Sequence, residues 1–212
     1  MHHHNGKFAA AHLLRPERIR VENPAAFMPH AIGHVAAAAD MGCGPGFYSK
    51  ALATCADTVY CVDSSMELLD ALRKRMHSER IGPSKLVLLN QDASSTSIRS
   101  STIDAVVFAN SLHDMEDRHA AAKEAHRILK PGGKVIIVDW KKSAPADIGP
   151  PPKIRMSASE YASIFGWLKV TKRIAVGPYH FCIVMGPRQT ARRNMRPDNL
   201  KYQSNIKHKS ES

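Results

Sequence analysis

The chain has 212 residues, of which 43% are hydrophobic, and this suits one α/β domain with a substantial core. No apolar run approaches the roughly 20 residues of a membrane span, and the N-terminus lacks the apolar core of a signal peptide, so a cytoplasmic location is the default expectation. The net charge of +11 is uneven, because residues 187–212 carry seven Lys or Arg and only two acidic residues.

The first 34 residues are less regular than the rest, and Pro16, Pro24 and Pro29 interrupt them. We therefore separate residues 1–34, as an N-terminal segment, from a domain that covers residues 35–186.

Apolar runs of strand length recur along the first two thirds of that domain. They are continuous rather than alternating, which is typical of strands buried on both faces of a parallel sheet. The predicted strands cover residues 35–41, 58–62, 85–89, 103–109 and 134–139. Predicted helices at 47–56, 65–80 and 116–129 separate them. This alternation predicts a doubly wound α/β sheet.

The last third of the domain follows a proline-rich connection at 144–152. A helix is predicted at 157–165, with Ser157 as its N-cap and Glu160 at the capping-box position. Two strands, at 167–176 and 179–185, meet at Gly177 and Pro178, and a turn this tight places them antiparallel. With the five strands before them, these two strands bring the predicted total to seven.

A glycine loop, residues 40–46, joins the first strand to the first helix of the domain. Glycines allow a tight turn and a close approach of the backbone to a ligand. A dinucleotide site would have the spacing G-x-G-x-x-G, and a P-loop would carry a lysine. Here the spacing is G-x-G-x-G, with Asp40 two residues ahead of Gly42 and no lysine, so the loop departs from both.

The glycine loop resembles motif I of the class I S-adenosylmethionine-dependent methyltransferases. The resemblance covers roughly residues 7–186, and within that class the chain is similar to the type 11 and ubiquinone/menaquinone methyltransferases. It implies S-adenosylmethionine as the cofactor. It also implies a Rossmann-like, doubly wound sheet of seven strands that is mostly parallel, with an antiparallel C-terminal hairpin strand. It further implies that Asp63 holds the ribose hydroxyls, that Asp92 meets the adenine amino group, and that residues 110–114 line the methyl-transfer face. The turn at 129–134 is common in the family as well.

The resemblance implies a full set of site residues. Those expected to bind the cofactor are Asp40, Gly42, Cys43, Gly44, Pro45, Gly46, Asp63, Ser64, Met66, Asp92, Ala93, Asn110, Ser111 and His113. His113 and Asp114 are also candidate catalytic residues, since a histidine can act as a base near neutral pH. Alternatively, His113 is a loop histidine that packs on the cofactor.

No metal site is expected. Cys43, Cys55, Cys61 and Cys182 lack zinc-site spacing, and we interpret them as reduced, mostly buried thiols. The histidine run at residues 2–4 has no spaced partner set for a metal. Because related small-molecule methyltransferases cover the pocket with their N-terminal residues, the resemblance implies that residues 1–34 form a lid.

The predicted function is methyl transfer to a small-molecule acceptor. One alternative is a methyltransferase for RNA or protein, in which the tail at 187–212, predicted to be disordered, and Lys141, Lys142, Lys153 and Arg155 form a basic surface. A second alternative is a non-catalytic binding protein that retains the cofactor fold. No Asn-Pro-Pro-Tyr-type sequence follows the fourth strand, which disfavours an exocyclic amino group of a base as the acceptor. The sequence does not indicate an oligomeric state.

Overall fold

The computed structural model describes residues 6–188, with side chains from residue 10 onward. In this range one seven-stranded sheet has the order β3-β2-β1-β4-β5-β7-β6. The strands are β1 (Val35–Met41), β2 (Ala56–Asp63), β3 (Leu86–Asn90), β4 (Ile103–Ala109), β5 (Leu129–Trp140), β6 (Leu168–Val176) and β7 (His180–Pro187). Strands β1 to β5 pair in parallel, whereas β7 is antiparallel to both β5 and β6. The predicted fold class is confirmed.

Helices separate the parallel strands except β3 and β4, between which the chain forms turns and bends. The helices are α1 (Gly6–Leu13), α2 (Pro16–Val21), α3 (Pro24–Ile32), α4 (Phe47–Leu52), α5 (Met66–Ser78), α6 (Arg118–Ile128) and α7 (Ala158–Ile164). Apolar side chains of α3, α4 and α5 pack on one face of the sheet, and those of α6 and α7 pack on the other. Each strand of the sheet centre is therefore covered on both sides, which is why its sequence is continuously apolar.

Local signals mark several helix starts. Ser65 caps α5 by accepting a hydrogen bond from the Leu68 amide at 3.3 Å. Ser157 and Glu160 form the predicted capping box of α7. Helix α6 begins at Arg118 rather than at residue 116, because the Asp117 side chain accepts hydrogen bonds from two amides of the first turn and is the N-cap.

Two element boundaries differ from the prediction by four residues or more, and the others by at most two. Helix α4 ends at Leu52 instead of residue 56, because Ala56 already pairs with Val35 as the first residue of β2. Strand β5 begins at Leu129 instead of residue 134. Leu129 pairs with Ile103, the register then shifts across the predicted turn, and regular pairing resumes at Lys134.

The described part of the N-terminal segment is three short helices. Pro16 and Pro24 occupy the first turns of α2 and α3, where a backbone N–H is not needed. The prolines therefore separate helices and do not prevent them from forming. The end of α3 is attached to the sheet by two lysines from β5 and β6, since Lys134 donates to the Ile32 carbonyl and Lys172 to the His30 carbonyl, both at 3.0 Å.

A close backbone contact joins the N-terminal segment to the C-terminal hairpin. Gly177, in the turn between β6 and β7, has φ +50° and lies directly against the Val21 carbonyl, so that a Cβ there would overlap the carbonyl oxygen. Only glycine suits both this left-handed backbone and this approach. Among the described residues, no helix is both long and apolar enough to cross a membrane.

Candidate functional site

The candidate site lies at the carboxyl ends of β1 and β4. These strands are neighbours in the sheet, but their connections to β2 and β5 run in opposite directions. Ligands of open α/β sheets bind at such a switch point. The predicted cofactor-binding residues all lie at, or just after, the ends of β1, β2, β3 and β4, so the fold brings them to one edge of the sheet.

The glycine loop and the segment after β4 interlock at this edge. Gly42 has φ +74°, and a Cβ there would lie 2.6 Å from the Ser111 Cβ. Ser111 Oγ in turn donates a hydrogen bond of 2.6 Å to the Met41 carbonyl. A side chain at position 42 would therefore push apart the two segments that form the walls of the crevice.

Asp63 connects the glycine loop to the end of β2. Its Oδ2 accepts a hydrogen bond of 2.7 Å from the Gly44 amide, and its Oδ1 accepts one of 2.9 Å from the Ser65 amide. Burial raises the pKa of Asp63, while the two backbone hydrogen bonds lower it. A carboxylate offers about four acceptor positions, so about two remain for a diol. The geometry therefore fits the ribose role that the resemblance implies.

An exposed apolar side chain, Met66, follows β2, and polar side chains follow both β2 and β3. Met66 is 52% exposed, which is unusual for a large hydrophobic residue of this chain, and Ser64 is exposed beside it. Asp92 is exposed and Ala93 half-buried. Ser94 lowers the pKa of Asp92 by donating to its Oδ1 at 2.7 Å, so the carboxylate is charged at neutral pH. An apolar surface with a nearby acceptor fits an adenine ring with its amino group.

Asp40 and Cys43 support the glycine loop from inside the fold. Asp40 is 1% exposed, and Ser49 Oγ donates to its Oδ2 at 2.7 Å. Burial raises the pKa of Asp40 to about 7. Cys43 and Pro45 are buried as well. The structure thus places the Asp40 side chain inside the fold, and the predicted role of Asp40 in cofactor binding stays a prediction.

His113 is enclosed between two carboxylates. Its Nδ1 lies 2.9 and 3.0 Å from the two oxygens of Asp139, and its Nε2 lies 3.3 Å from Asp114 Oδ2. Tyr161 donates a further hydrogen bond of 2.6 Å to Asp139. Burial alone would lower the pKa of His113, but the hydrogen bonds to Asp114 and Asp139 outweigh it and raise the pKa to about 9. A histidine that is protonated at neutral pH cannot accept a proton there, so this geometry favours a positioning role.

The raised pKa of His113 predicts a loss of stability at alkaline pH. The folded state binds the proton more tightly than the unfolded state, whose histidine pKa is 6.5. The extra stability is therefore present below pH 6.5 and is lost as the pH rises through about 9. We expect the free energy of unfolding to fall by about 2 kcal/mol between pH 7 and 9. Urea unfolding at pH 7, 8 and 9 measures this.

The His113→Gln variant should lose most of this pH dependence, whereas the exposed His119 on α6 provides a matched control. His119→Gln should retain the wild-type slope. Equal slopes for the wild type and His113→Gln would show that the Asp139 contact does not hold a proton. Asp40, whose pKa is raised to about 7, and the buried thiols of Cys43 and Cys182, whose pKa values are raised above 9.0, add a smaller fall in stability that both variants share.

A buried glutamate that sequence reasoning missed lies beside the segment after β4. Glu22, at the end of α2, is 2% exposed and forms an ion pair with Arg18. Its Oε2 accepts hydrogen bonds of 2.7 Å from Tyr48 Oη and from Asn110 Nδ2. His180 Nε2 lies 3.6 Å from the same oxygen. In the sequence, Arg18 and Glu22 have the spacing of an ordinary surface ion pair on a helix, so no local signal distinguishes Glu22.

The N-terminal segment also contacts the glycine loop. A Cβ at Gly44 would lie 3.7 Å from Leu13 Cδ1, and Arg18 lies over the Phe47 ring at 4.1 Å from its centroid. Together with the bond from Asn110 to Glu22, these contacts place α1 and α2 over the site. The lid predicted for residues 1–34 stays a prediction, with residues 1–5 outside the described range.

The predicted basic surface is less extensive than expected. Arg155 is 2% exposed, and its guanidinium donates to backbone carbonyls of the proline-rich connection, including that of Ile148, so the expectation that it faces a nucleic acid is wrong. Lys142 is paired with Glu160 at 2.8 Å. Residues 189–212 of the tail lie outside the described range, and Pro187 belongs to β7.

Among the described residues there is neither a cluster of metal ligands nor a disulfide. Within the described residues no three His, Cys, Asp or Glu side chains come together as a metal site. All four cysteines are buried and unpaired. The histidine run at residues 2–4 lies outside the described range.

Comparisons with known proteins agree with this geometry. A family model described as a methyltransferase domain matches residues 39–137. A crystal structure of a type 11 methyltransferase from Sulfolobus solfataricus is 34% identical, with a TM-score of 0.69, and the alignment covers 81% of this chain and 95% of that one. The crystal structure of an S-adenosylmethionine-dependent methyltransferase from Aquifex aeolicus has a TM-score of 0.78 at 22% identity, and the alignment covers 85% of this chain and 98% of that one.

Among curated proteins, the demethylmenaquinone methyltransferase of Clavibacter sepedonicus is 28% identical over 101 residues, which are 48% of this chain and 40% of that protein. The chain spans less than half the length of the curated relatives it matches.

Proposed function

Because the chain belongs to the type 11 family of S-adenosylmethionine-dependent methyltransferases, we propose that it transfers a methyl group from S-adenosylmethionine to a small, quinone-type acceptor. The observation that carries the proposal is the crevice at the switch point, where the Asp63 carboxylate holds the glycine loop and keeps free acceptor positions. The acceptor class is supported by the similarity to a demethylmenaquinone methyltransferase.

The bound cofactor supplies an activated methyl group, so the chain's residues mainly have to bind, align and exclude water. Asp63 and Asp92 are proposed to hold the nucleoside part. The two walls of the crevice are held together by the hydrogen bond from Ser111 to the Met41 carbonyl, and Gly42 allows their close approach.

Leu13 lies beside Gly44 and Arg18 lies over Phe47 at the start of α4. Both belong to the proposed lid, which would keep water from the reacting atoms.

A general base is needed only where the acceptor must lose a proton during transfer. His113 is not assigned that role, because both of its ring nitrogens contact carboxylates. We propose instead that His113 and Asp139 keep the segment after β4 in place. Arg118 supports the same segment by donating to the carbonyls of Leu112 and His113.

A truncation separates the small-molecule function from the alternative of an RNA or protein substrate. We expect a chain ending at Arg188 to transfer a labelled methyl group to reduced naphthoquinone-type acceptors (hydroquinones), which are nucleophilic, within about twofold of the full chain. The physical reason is that a chain ending at Arg188 keeps the site and the described fold, including the hydrogen bond from Arg188 to the Gly166 carbonyl. Transfer to an RNA or protein pool that disappears with the tail, without transfer to small molecules, would contradict the proposal.

The alternative of a non-catalytic binding protein is addressed by the same experiment. Binding of S-adenosylmethionine without methyl transfer to any acceptor in the screen would favour it. The cytoplasmic location expected from the sequence stays a prediction.

A further inference from the structure

The Glu22 carboxylate accepts hydrogen bonds from three separate parts of the chain. Arg18 binds one oxygen, while Tyr48 Oη and Asn110 Nδ2 donate to the other, each at 2.7 Å. His180, which is 0% exposed and packs on the Trp140 ring at 4.1 Å, lies next to that oxygen at 3.6 Å, too far for a hydrogen bond. The cluster of Glu22, Tyr48, Asn110 and His180 adjoins the methyl-transfer segment, because Asn110 is the first residue after β4.

This arrangement determines which way the Asn110 amide points. A carboxylate paired with an arginine only accepts hydrogen bonds, so the amide nitrogen of Asn110 has to face Glu22. The amide oxygen then faces away from Glu22. Asn110 itself has φ +54°, and its backbone N–H is bonded to the Val138 carbonyl at 2.8 Å, so neither the backbone nor the side chain is free to reverse.

Among the described residues, the buried side-chain nitrogen and oxygen atoms that lack a hydrogen-bond partner all belong to this cluster. Asn110 Oδ1 and both ring nitrogens of His180 are buried and have no hydrogen-bond partner. Burying a hydrogen-bond acceptor without a partner costs free energy, and a ligand that donates a hydrogen bond to it can recover that cost. Asn110 as a whole is only partly buried, since it lies at the edge of the crevice.

We propose that Glu22 is the specificity-determining residue of the acceptor site, because it holds the Asn110 amide so that Oδ1 accepts a hydrogen bond from a hydroxyl or N–H group of the methyl acceptor. For a ring with oxygen substituents, this favours a hydroxyl over a carbonyl or an ether at this position. The inference rests on the proposed function and deepens it. Glu22 acts through Asn110 and is therefore a positioning residue.

The test compares two small probes that share a ring and differ in the donor. Phenol and anisole are titrated separately into the full chain saturated with S-adenosylhomocysteine, and affinities are read from amide shifts in ¹⁵N NMR spectra. We expect phenol to bind at least about tenfold more tightly than anisole and to shift the Asn110 signal, since an unpaired acceptor would face the ether.

Three variants test whether Glu22 orients the Asn110 amide or only stabilises the fold. Glu22→Gln offers an amide of its own, so Asn110 can reverse, and the preference for phenol should fall to within about twofold. Asn110→Gly removes the amide and adopts φ +54° without strain, and it should lose the preference in the same way even if Glu22→Gln does not fold. Tyr48→Phe removes one donor to Glu22 but leaves the Asn110 bond, so it should keep the preference.

The outcomes are decisive in either direction. Equal binding of both probes to the wild type, binding of neither at Asn110, or a full preference retained by Asn110→Gly or Glu22→Gln overturns the inference. Binding of S-adenosylhomocysteine is measured first. Its absence in the wild type counts against the proposed function, whereas normal cofactor binding without discrimination between the probes counts against the inference alone.

Discussion

Replacing Asp63 by alanine should weaken the binding of S-adenosylhomocysteine by at least about a hundredfold. The carboxylate holds the Gly44 and Ser65 amides, and its remaining acceptor positions fit the two ribose hydroxyls. Hydrogen bonds to a charged group contribute about 1.5 to 3 kcal/mol each, so the loss of two to the ligand alone gives a hundredfold or more. Isothermal titration of the wild type and the variant measures the change.

Asp57 provides a matched control for this substitution. It lies on the same strand, but at the opposite end, where it is exposed and interacts only at the surface with His34 at 3.1 Å. Asp57→Ala should bind S-adenosylhomocysteine within about twofold of the wild type. If Asp63→Ala also binds normally while remaining folded, the ribose role is wrong, and with it the placement of the cofactor along β2.

Replacing Gly177 by alanine should destabilise the fold by about 2 to 5 kcal/mol and detach α2. A left-handed backbone costs a residue with a Cβ about 1 to 2 kcal/mol, and the overlap with the Val21 carbonyl adds about 1 to 3 kcal/mol. Because Val21 precedes Glu22, the displacement should also disturb the Glu22 cluster. Urea unfolding measures the free energy, and hydrogen exchange of the α2 amides reports the detachment.

A substitution at Gly132 measures the cost of the left-handed backbone alone, without the overlap with the Val21 carbonyl. Gly132 has φ +85°, like Gly177 in the left-handed region, but no atom lies within 4 Å of a Cβ built there. Gly132→Ala should therefore lose only the backbone cost, about 1 to 2 kcal/mol, with normal exchange in α2. Equal destabilisation by the two substitutions would mean that the contact between the hairpin and the N-terminal segment adds nothing.

The parts of the fold that could be predicted are those whose signal lies within a short stretch of chain. The bounds of β1 and β4 were predicted to the residue, because strands covered on both faces have continuous apolar sequences that begin and end sharply. The capping box of α7 needs only Ser157 and Glu160, three residues apart. The end of α4 was missed because the start of β2 is decided by pairing with β1.

The candidate site also contains residues with a local sequence signal and residues without one. Glycine spacing and the Asp63 position after a strand are local, so the sequence by itself determined the family, the fold class and the cofactor edge of the sheet. What only the tertiary structure decided is the charge state of His113 and the presence of Glu22 beside the methyl-transfer segment. His113 depends on Asp139, 26 residues away, and Glu22 depends on Asn110, 88 residues away. No periodicity or motif records such pairs, because the contacts exist only after the sheet has brought the ends of distant strands together.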